Sequence, residues 1–485
     1  MIKIKNAGDY RESLRALKSR VYFMGGRIED VVTHPATRPH VNSAAMTYAL
    51  ADSPKYEGLF AVQSPFTGEK INRFAHIFRG AEDLIAKVKM LRILGQKTGT
   101  CFQRCVGLDA LNSLYSVTYE MDEKYKTEYH SRLKEYLKYV QTHNLMCVGG
   151  MTDPKGDRSL PPSKQADPDL YLRVVSKNAK GVTIRGAKLH QTGAVNSHEI
   201  IVMPTTALGE EDKAYAVSAA MPANSPGITM IFGRQSNDDR KLWEIDMGNP
   251  RFGLVGGEAT IVFEDVFVPW ERVFMCGEHE FSGLLVERFA SIHRQNYGGC
   301  KGGVADVLVG ASALIAEYHG VARASHIREK LTEMVHLTET LYGTSIAAAV
   351  EGKPTPSGMF YVNPMLANVS KQNISRFMFE ICRLAIDIAG GLLATMPSEA
   401  DLKSPEVGHY VEKYFKGASG VPAEHRIRVA RLIENMAAGA PLVEAMHGAG
   451  SPQAQRVMIY RQGEIEEKKR FALALGGIVE DEKAE

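Results

Sequence analysis

Apolar residues at the start of the chain recur at three- and four-residue intervals. They run from Tyr10 to Val21, and a longer pattern of the same period extends from about residue 81 to residue 145. This period places the apolar side chains on one face of a helix. The segment 33–54 between them holds three prolines and several polar residues, which is typical of a connecting loop. The sequence therefore predicts a helical N-terminal region.

The pattern changes near Cys147. From there to about Cys276, short runs rich in β-branched residues, such as 199–202 and 259–263, are bounded by turn-forming residues. Runs of this length and composition are typical of strands. The middle of the chain is therefore predicted to be a β domain.

Beyond residue 281 the helical period returns, first in an apolar stripe over residues 327–342 and then at 376–388 and 424–436. We therefore predict an α+β fold of three domains. These are an N-terminal α-helical domain over residues 1–146, a middle β domain over 147–276 and a C-terminal α-helical bundle over 277–485.

Composition and charge narrow the functional classes. The chain has 485 residues, of which 44% are hydrophobic, and its 58 basic and 56 acidic side chains nearly balance. This balance excludes a protein that coats nucleic acid and gives no reason to expect a membrane surface as partner. The best apolar run falls short of the roughly 18 residues that span a bilayer, because Asp306 interrupts it. The N-terminus lacks the apolar stretch of a secretory signal, so we expect a cytoplasmic protein.

Several familiar catalytic motifs are missing from the sequence. It contains neither a P-loop nor a G-x-G-x-x-G turn after a strand, and H-E-x-x-H, G-x-S-x-G and C-x-x-C are absent as well. Six cysteines in a chain of this length are too few for a disulfide framework. Cysteine spacing is therefore the main remaining source of candidate chemistry.

Cys101 and Cys105 lie four positions apart in a stretch with the helical pattern, with Gln103 and Arg104 between them. In a helix this spacing places both thiols on one face. For an isolated pair, two small buried core residues are the simpler interpretation.

A second segment carries more chemistry. His293, Tyr297, Cys300 and Lys301 lie at positions i, i+4, i+7 and i+8, so a helix would present all four on one face. Such a set is poor material for an apolar contact, and the alternative is a polar face exposed to solvent. The tandem glycines 298–299 cost a helix roughly 1 kcal/mol each, which favours close approach of something bulky.

Together the two segments offer three thiolates and one imidazole. This set suits either a zinc site or an iron–sulfur site, and the residue types alone leave both open. Cys147, Cys276 and Cys382 have no partner at useful spacing and are interpreted as small buried hydrophobic residues.

Two polar segments accompany the predicted strands. Residues 190–199 form a hydrogen-bond-rich turn that leads into a strand, and residues 152–158 are rich in turn formers. By themselves they predict only a polar loop and a domain junction.

These features together resemble a known group of flavoproteins. The helical–β–helical order, the stretches 25–27 and 31–35, and residues 263–272 (FEDVFVPWER) are similar to the acyl-CoA dehydrogenase-like superfamily. Within it, the chain resembles the 4-hydroxyphenylacetate 3-monooxygenase branch. The resemblance runs over essentially the whole chain and implies a β-barrel-like middle domain.

The cysteines make the resemblance more specific. The pair Cys101 and Cys105, the spacing from His293 to Cys300 and the 190–199 loop (HQTGAVNSHE) are similar to the 4-hydroxybutyryl-CoA dehydratase family. This resemblance implies a homotetramer that carries FAD and one [4Fe–4S] cluster per subunit. It also implies radical dehydration of 4-hydroxybutyryl-CoA to crotonyl-CoA, with vinylacetyl-CoA Δ-isomerase activity, and therefore acyl-CoA partners.

The resemblance also assigns residues. It implies that Cys101, Cys105, His293 and Cys300 bind the cluster. It places FAD between the β domain and the C-terminal helices. The implied FAD contacts are Thr152, Lys155, Asp157, Arg158, Gln191, Thr192, Gly390 and Gly391.

Catalytic roles follow from the same resemblance. His293 would be a cluster ligand and, once displaced, a base, and Glu258 a second acid or base. Tyr297 and Lys301 would position the substrate or stabilise negative charge on oxygen, and Gln103 would hydrogen-bond near the cluster.

A further acidic residue is expected near the C-terminal helices. The segment 447–456 offers Gln453 and Gln455 in place of a carboxylate, and Glu444 is only nearby.

Two other functions remain as alternatives. One is a flavin-dependent aromatic monooxygenase on the same fold, and the other is a zinc-stapled structural or binding protein.

Overall fold

Six helices and two short hairpins form the N-terminal part of the chain in a computed structural model, which describes residues 3–235, 238, 243–253 and 257–478. The helices are α1 (Ala7–Leu17), α2 (Arg38–Ala51), α3 (Glu57–Phe60), α4 (Ala81–Thr98), α5 (Cys105–Tyr125) and α6 (Tyr129–His143). The hairpins are β1 (Val21–Phe23) with β2 (Gly26–Ile28), and β3 (Ala61–Gln63) with β4 (Lys70–Asn72).

Helix α2 corrects the prediction of a loop over residues 33–54. Pro39 lies in its first turn, where a missing N–H costs nothing because that N–H has no partner within a helix. The remaining prolines of the segment, Pro35 and Pro54, fall outside the helix. The prolines therefore flank and begin α2 instead of preventing it.

Among the residues that the structure describes, the middle of the chain contributes eight strands to two sheets. The strands are β5 (Cys147–Gly150), β6 (Arg173–Asn178), β7 (Gly181–Thr192), β8 (Glu199–Val202), β9 (Val217–Pro222), β10 (Ile228–Phe232), β11 (Glu258–Pro269) and β12 (Val273–Cys276). One sheet has the order β2-β1-β10-β11-β7-β6 and the other the order β12-β9-β8-β5.

The expectation of a barrel is wrong for the part of the chain that the structure describes. Both sheets are open, since β2 and β6 stand at the edges of one and β12 and β5 at the edges of the other. The N-terminal hairpin also joins the larger sheet, because Val21 and Tyr22 pair in parallel with Met230 and Ile231. The fold is therefore mixed α/β, with helices on both sides of the strands in sequence.

The C-terminal part is a bundle of helices, three of them long. They are α7 (Ser282–Tyr318), α8 (Ser325–Val350) and α9 (Pro364–Ala389), with the small hairpin β13 (Lys353–Pro354) and β14 (Phe360–Tyr361) before α9. Shorter helices follow: α10 (Leu392–Thr395), α11 (Glu399–Lys403), α12 (Gly408–Tyr414), α13 (Ala423–Ala437), α14 (Ala440–His447), α15 (Pro452–Gln462) and α16 (Ile465–Leu475).

Helix α7 is the central element of this bundle. By length and composition alone, residues 279–318 could cross a membrane, yet 61% of their most apolar window is buried inside the protein. Helices α4, α8 and α9 pack against it. One hydrophobic core joins the N-terminal helices to the sheets and includes Cys105, and a second fills the C-terminal bundle and includes Tyr297.

Glycines explain how close α7 comes to its neighbours. A Cβ on Gly298 would lie 2.0 Å from Ser345 Oγ in α8, and one on Gly299 would lie 2.6 Å from the carbonyl oxygen of Val88 in α4. A Cβ on Gly95 would lie 2.5 Å from the carbonyl oxygen of Cys300. The bulky groups that approach these glycines are therefore the neighbouring helices, and their close approach fixes the position of Cys300.

Candidate active site

A small cavity of about 30 Å³ lies where α5, α7 and α14 meet. Cys101, Cys105 and Cys300 line it together with His293. The structure thus brings together three thiols and an imidazole that are up to 199 positions apart in the sequence. The remaining lining residues are Thr100, Phe102, Val106, Thr192, Asn296, Tyr297, Lys301, Val304 and Glu444.

The two N-terminal cysteines reach the cavity through a turn. Cys101 lies between α4 and α5 and not in a helix, whereas Cys105 is the first residue of α5. Gln103 has a left-handed φ of 64°, a conformation that reverses the chain locally. The prediction of one continuous helical stretch is therefore wrong here. The backbone N–H of Gln103 points to the Cys101 sulfur.

The segment from His293 to Lys301 does lie within one helix, α7. All four chemically reactive residues predicted on that face line the cavity. This face is buried, since Tyr297 is 4% and Lys301 3% exposed. The prediction of a shared helix face is confirmed, and the alternative of a face exposed to solvent is excluded.

His293 is held by a carboxylate that the sequence analysis missed. Its Nδ1 lies 2.7 Å from Oδ2 of Asp109, a fully buried residue of α5. Asn296 donates from Nδ2 to the same oxygen at 2.6 Å. Ligand atoms of Cys105, Asp109 and His293 all lie within 4.8 Å of one another. The i, i+4 spacing of Cys105 and Asp109 could have indicated this group.

The thiols occupy an environment that disfavours free thiolates. Burial raises the pKa of Cys101 and of Cys105 well above the usual value. It also raises the pKa of Cys300 to about 12, although the neighbouring ammonium of Lys301 acts in the opposite direction. A metal ion displaces the protons of its thiol ligands, so the set is suited to hold metal and not to act as free nucleophiles.

Lys301 forms a buried ion pair with Glu444 of α14. Burial alone would lower the pKa of Lys301, but Glu444, Cys300 and Cys101 raise it above its usual range. Glu444, which the sequence analysis named only as nearby, is thus a carboxylate that lines the cavity. Gln453 is exposed, and Gln455 is buried with its Nε2 bonded to the Gly450 carbonyl oxygen at 3.1 Å; neither lines the cavity.

Tyr297 lies between two lysines under α14. The Nζ of Lys371 is 4.6 Å from its ring centroid, and the Nζ of Lys301 is 5.9 Å away. Burial, followed by the charge of Glu444, raises the pKa of Tyr297. Its hydroxyl would lie 1.9 Å from a Cβ on Gly448, so only glycine fits at that point after α14.

Glu258 begins β11 and faces Thr192 at the end of β7. Thr192 donates from Oγ1 to Glu258 Oε1 at 2.6 Å. Burial raises the pKa of Glu258 to about 7, and the charge of Glu444 adds to the effect. Thr192 lines the cavity, so the carboxyl group of Glu258 lies behind its wall.

The residues expected to contact FAD fall in separate places. Gln191 donates from Nε2 to the carbonyl oxygen of Thr152 at 3.2 Å, which joins β7 to the segment 152–158. Within that segment Lys155 is half-buried, whereas Asp157 and Arg158 are exposed. Gly390 and Gly391 lie exposed at the C-terminal end of α9. Of this set, only Thr192 lines the cavity of the three thiols.

Gln103 contacts neighbours of the site. Its Nε2 lies 3.0 Å from Nδ1 of His40, on α2. A Cβ on Gly193 would lie 3.0 Å from the Gln103 side chain, so the turn before α5 packs directly on the loop after β7. Gln103 therefore supports the turn that carries Cys101.

Comparison with known protein families identifies the class. A family model described as "4-hydroxyphenylacetate 3-hydroxylase N terminal" matches residues 6–275, and one described as "4-hydroxyphenylacetate 3-hydroxylase C terminal" matches residues 282–476. The chain belongs to this family.

Individual relatives narrow the similarity within it. The chain is 54% identical over 490 residues to the 4-hydroxybutyryl-CoA dehydratase/vinylacetyl-CoA-Delta-isomerase of Clostridium aminobutyricum, covering 98% of this chain and 100% of that protein. A solved structure of an oxygen-tolerant archaeal 4-hydroxybutyryl-CoA dehydratase from N. maritimus is 51% identical, with a TM-score of 0.96 over 100% of this chain and 97% of that one. The resemblance seen in the sequence is thus confirmed.

Monooxygenases of the family are more distant. The 4-hydroxyphenylacetate 3-monooxygenase oxygenase component of Thermus thermophilus is 25% identical over 89% of this chain and 88% of that protein. A structure of HpaB, the oxygenase component of a 4-hydroxyphenylacetate 3-monooxygenase, complexed with FAD, is 23% identical, with a TM-score of 0.85 over 99% of this chain and 100% of that one. At this identity the match shows the shared fold.

Proposed function

We propose that the chain is a lyase that removes water from 4-hydroxybutyryl-CoA to give crotonyl-CoA, and that it also isomerises vinylacetyl-CoA. The observation that carries the proposal is the convergence of Cys101, Cys105, Cys300 and His293 on one cavity. It occurs in a chain 54% identical to a protein named as this dehydratase and isomerase. An aromatic monooxygenase on the same fold has no need of such a thiol set.

The proposed cofactors are a [4Fe–4S] cluster and FAD. Three thiols and one imidazole around a single buried cavity are a donor set that fits a cluster held by Cys101, Cys105, Cys300 and His293. The backbone N–H directed at the Cys101 sulfur is the kind of hydrogen bond that tunes such clusters.

FAD is proposed to lie between the β domain and the C-terminal helices. The contacts assigned to it are Thr152, Lys155, Asp157, Arg158, Gln191, Thr192, Gly390 and Gly391. Support comes from the HpaB structure, whose title names FAD, and from the bond between Gln191 and Thr152 that joins two parts of this set. The fold is proposed to be of the acyl-CoA dehydrogenase-like type, divided near residues 146 and 276.

The substrate explains why the site needs more than acid and base groups. The hydrogen at C3 of a 4-hydroxyacyl thioester is not acidic, and hydroxide leaves C4 poorly. When bound, the cluster would supply a Lewis acid, and FAD would supply the removal and return of one electron. The residues of the chain have to position the acyl group, keep water out and hold the protons.

Proton handling is assigned to two residues. His293 is assigned the removal of the C2 proton, which the thioester acidifies, when its ring is not ligated. Glu258 is the second acid or base, and its pKa of about 7 suits proton exchange at neutral pH. Thr192, bonded to Glu258, links this carboxyl group to the cavity wall.

Charge handling is assigned to the opposite wall. Lys301 keeps its proton because Glu444 faces it, so its ammonium can stabilise negative charge on a substrate oxygen. Tyr297 keeps its phenolic proton for the same purpose, since burial raises its pKa. Gln103 is given a supporting role through the turn that carries Cys101.

The assembly is proposed to be a cytoplasmic homotetramer.

The proposal is tested by metal and flavin analysis of anaerobically purified protein. About four irons with acid-labile sulfide and one FAD per chain are expected, with conversion of 4-hydroxybutyryl-CoA to crotonyl-CoA. Yellow protein without iron would support the monooxygenase instead, and zinc without flavin would support a structural protein.

A matched pair of cysteine variants separates the site from general effects of substitution. Cys300→Ala is expected to abolish turnover and lower the iron content. Cys382→Ala removes a cysteine that is buried in the C-terminal core, outside the cavity, and is expected to keep both. Full activity of Cys300→Ala would remove the cluster from the mechanism.

A further inference from the structure

Asp109 and His293 form a buried carboxylate–imidazole pair between α5 and α7. Oδ2 of Asp109 lies 2.7 Å from Nδ1 of His293, and Asp109 is fully buried while His293 is 9% exposed. A buried carboxylate is costly unless it accepts hydrogen bonds. Its presence at this point therefore calls for a role that an apolar residue would not fill.

Neighbouring groups hold both partners of the pair. Asn296 donates from Nδ2 to the same Asp109 oxygen at 2.6 Å. The ring of His293 stacks on Phe289 with centroids 5.6 Å apart, and the ring of Tyr297 meets it edge-on. Lys87, buried in α4, lies near enough to Asp109 for their charges to interact. The imidazole thus has one orientation, set by side chains of α5 and α7.

The hydrogen bond selects the tautomer of the ring. A carboxylate can only accept hydrogen bonds, so Nδ1 carries the proton and donates a hydrogen bond to Asp109. The lone pair then resides on Nε2. A histidine that donates to a carboxylate in this way is also a stronger ligand through its other nitrogen.

We propose that Asp109 is a positioning residue, which holds His293 in the tautomer and orientation that present Nε2 to the iron of the cluster. This inference rests on the proposed function, because it assumes that the cavity holds iron. Loss of such a partner carboxylate typically weakens metal binding by about 10- to 100-fold. Asp109 therefore sets how firmly the one non-thiolate ligand stays bound.

The test compares Asp109→Asn with Glu123→Gln, which removes an exposed carboxylate from the same helix. Iron and sulfide are counted in anaerobic protein, iron release to a chelator is timed, and the histidine ¹⁴N coupling is measured by pulsed EPR on the reduced cluster. We expect Asp109→Asn to keep its iron at first, to release it about 10- to 100-fold faster and to show a changed ¹⁴N coupling. Glu123→Gln is expected to match the wild type.

Two outcomes would overturn the inference. A rate of iron release and a histidine ¹⁴N coupling equal to those of the wild type would show that Asp109 does not act on His293. Loss of one iron with an unchanged histidine coupling would make Asp109 a ligand itself, which its position within 4.8 Å of the Cys105 and His293 ligand atoms allows. If Asp109→Asn is insoluble, Asn296→Ala removes the second bond to the same oxygen, and its iron content, iron release and ¹⁴N coupling are measured in the same way.

Failure of the proposed function would look different. Wild-type protein without iron and sulfide would refute the cluster before any variant is made. Wild-type protein with a cluster, and an Asp109 variant indistinguishable from it, would refute the positioning role alone.

Discussion

Lys301 and Glu444 form a buried ion pair that joins α7 to α14 beside the three cysteines. The two residues are 143 positions apart, and the pair closes one side of the cavity. Helix α14 therefore belongs to the site, although no motif in its sequence marks it.

The pair predicts a strong effect of Glu444→Gln. Removing one partner of a buried pair leaves the other charge uncompensated, which typically costs 3–5 kcal/mol. We expect a lower unfolding temperature and a fall in kcat of about 100-fold or more, equivalent to roughly 3 kcal/mol. Glu406→Gln, at an exposed position before α12, is the control. Unchanged kcat in Glu444→Gln would exclude Glu444 from the reaction.

Lys371 predicts how α14 is held in place. Its Nζ donates to the carbonyl oxygens of Ala445 at 2.6 Å and Met446 at 3.3 Å, near the end of α14. We expect Lys371→Met to speed amide hydrogen exchange over residues 440–448 about tenfold, because those carbonyl bonds are lost. The exposed Lys413→Met should leave exchange there unchanged. Equal protection in both variants would show that α14 is held by other contacts.

Glu258 predicts a pH dependence of stability. Its carboxyl pKa is raised by burial to about 7 from an ordinary value of 4.5. The folded state therefore holds this proton more tightly than the unfolded state. The contribution is fully present below pH 4.5 and is lost as the pH rises to about 7, by at most about 3 kcal/mol.

Thermal unfolding between pH 4.5 and 7.5 measures this contribution. In Glu258→Gln the decline of stability over that range should be smaller than in the wild type, because the titrating group is gone. Thr192→Val should extend the decline to higher pH, since the bond from Thr192 lowers the folded-state pKa of Glu258. Identical pH profiles in all three proteins would contradict the assignment.

The helix crossings predict opposite effects for two glycines of α7. A Cβ on Gly298 would lie 2.0 Å from Ser345 Oγ, whereas a Cβ on Gly310 has nothing within 4 Å. Overpacking costs about 1–3 kcal/mol, and alanine gains about 1 kcal/mol over glycine in an open helix position. Gly298→Ala should therefore lower the unfolding temperature and Gly310→Ala should raise it. A stabilising Gly298→Ala would show that α8 moves aside freely.

Local sequence pattern was sufficient where the site lies on one helix. His293 and Lys301 share a face because the period of α7 is unbroken, so spacing alone predicted their meeting. At Cys101 the same reasoning failed, since the left-handed Gln103 turns the chain and periodicity carries no signal for one such residue. The outcome is the same convergence, reached through a different local structure.

Distant partners could not be predicted from the sequence. Glu444 and Asp109 look like ordinary helix carboxylates, and only packing of α14 and α5 against α7 brings them to the cavity. The larger sheet is extended by pairing of β1 with β10, a contact across about 200 residues that strand patterns do not encode. Helix α2 was missed because its prolines lie at and beyond its ends.

The glycine crossings have a consequence for transplanting this chemistry. The position of Cys300 is set by contact between the main chains of two helices. Its carbonyl oxygen lies so close to Gly95 that a Cβ at that glycine would be only 2.5 Å away. Cysteines introduced into a flavin monooxygenase of the same fold would therefore not converge on one cavity unless the helices that carry them could also pack with their backbones in contact. In this fold, glycines that take no part in the reaction determine the positions of the reactive side chains.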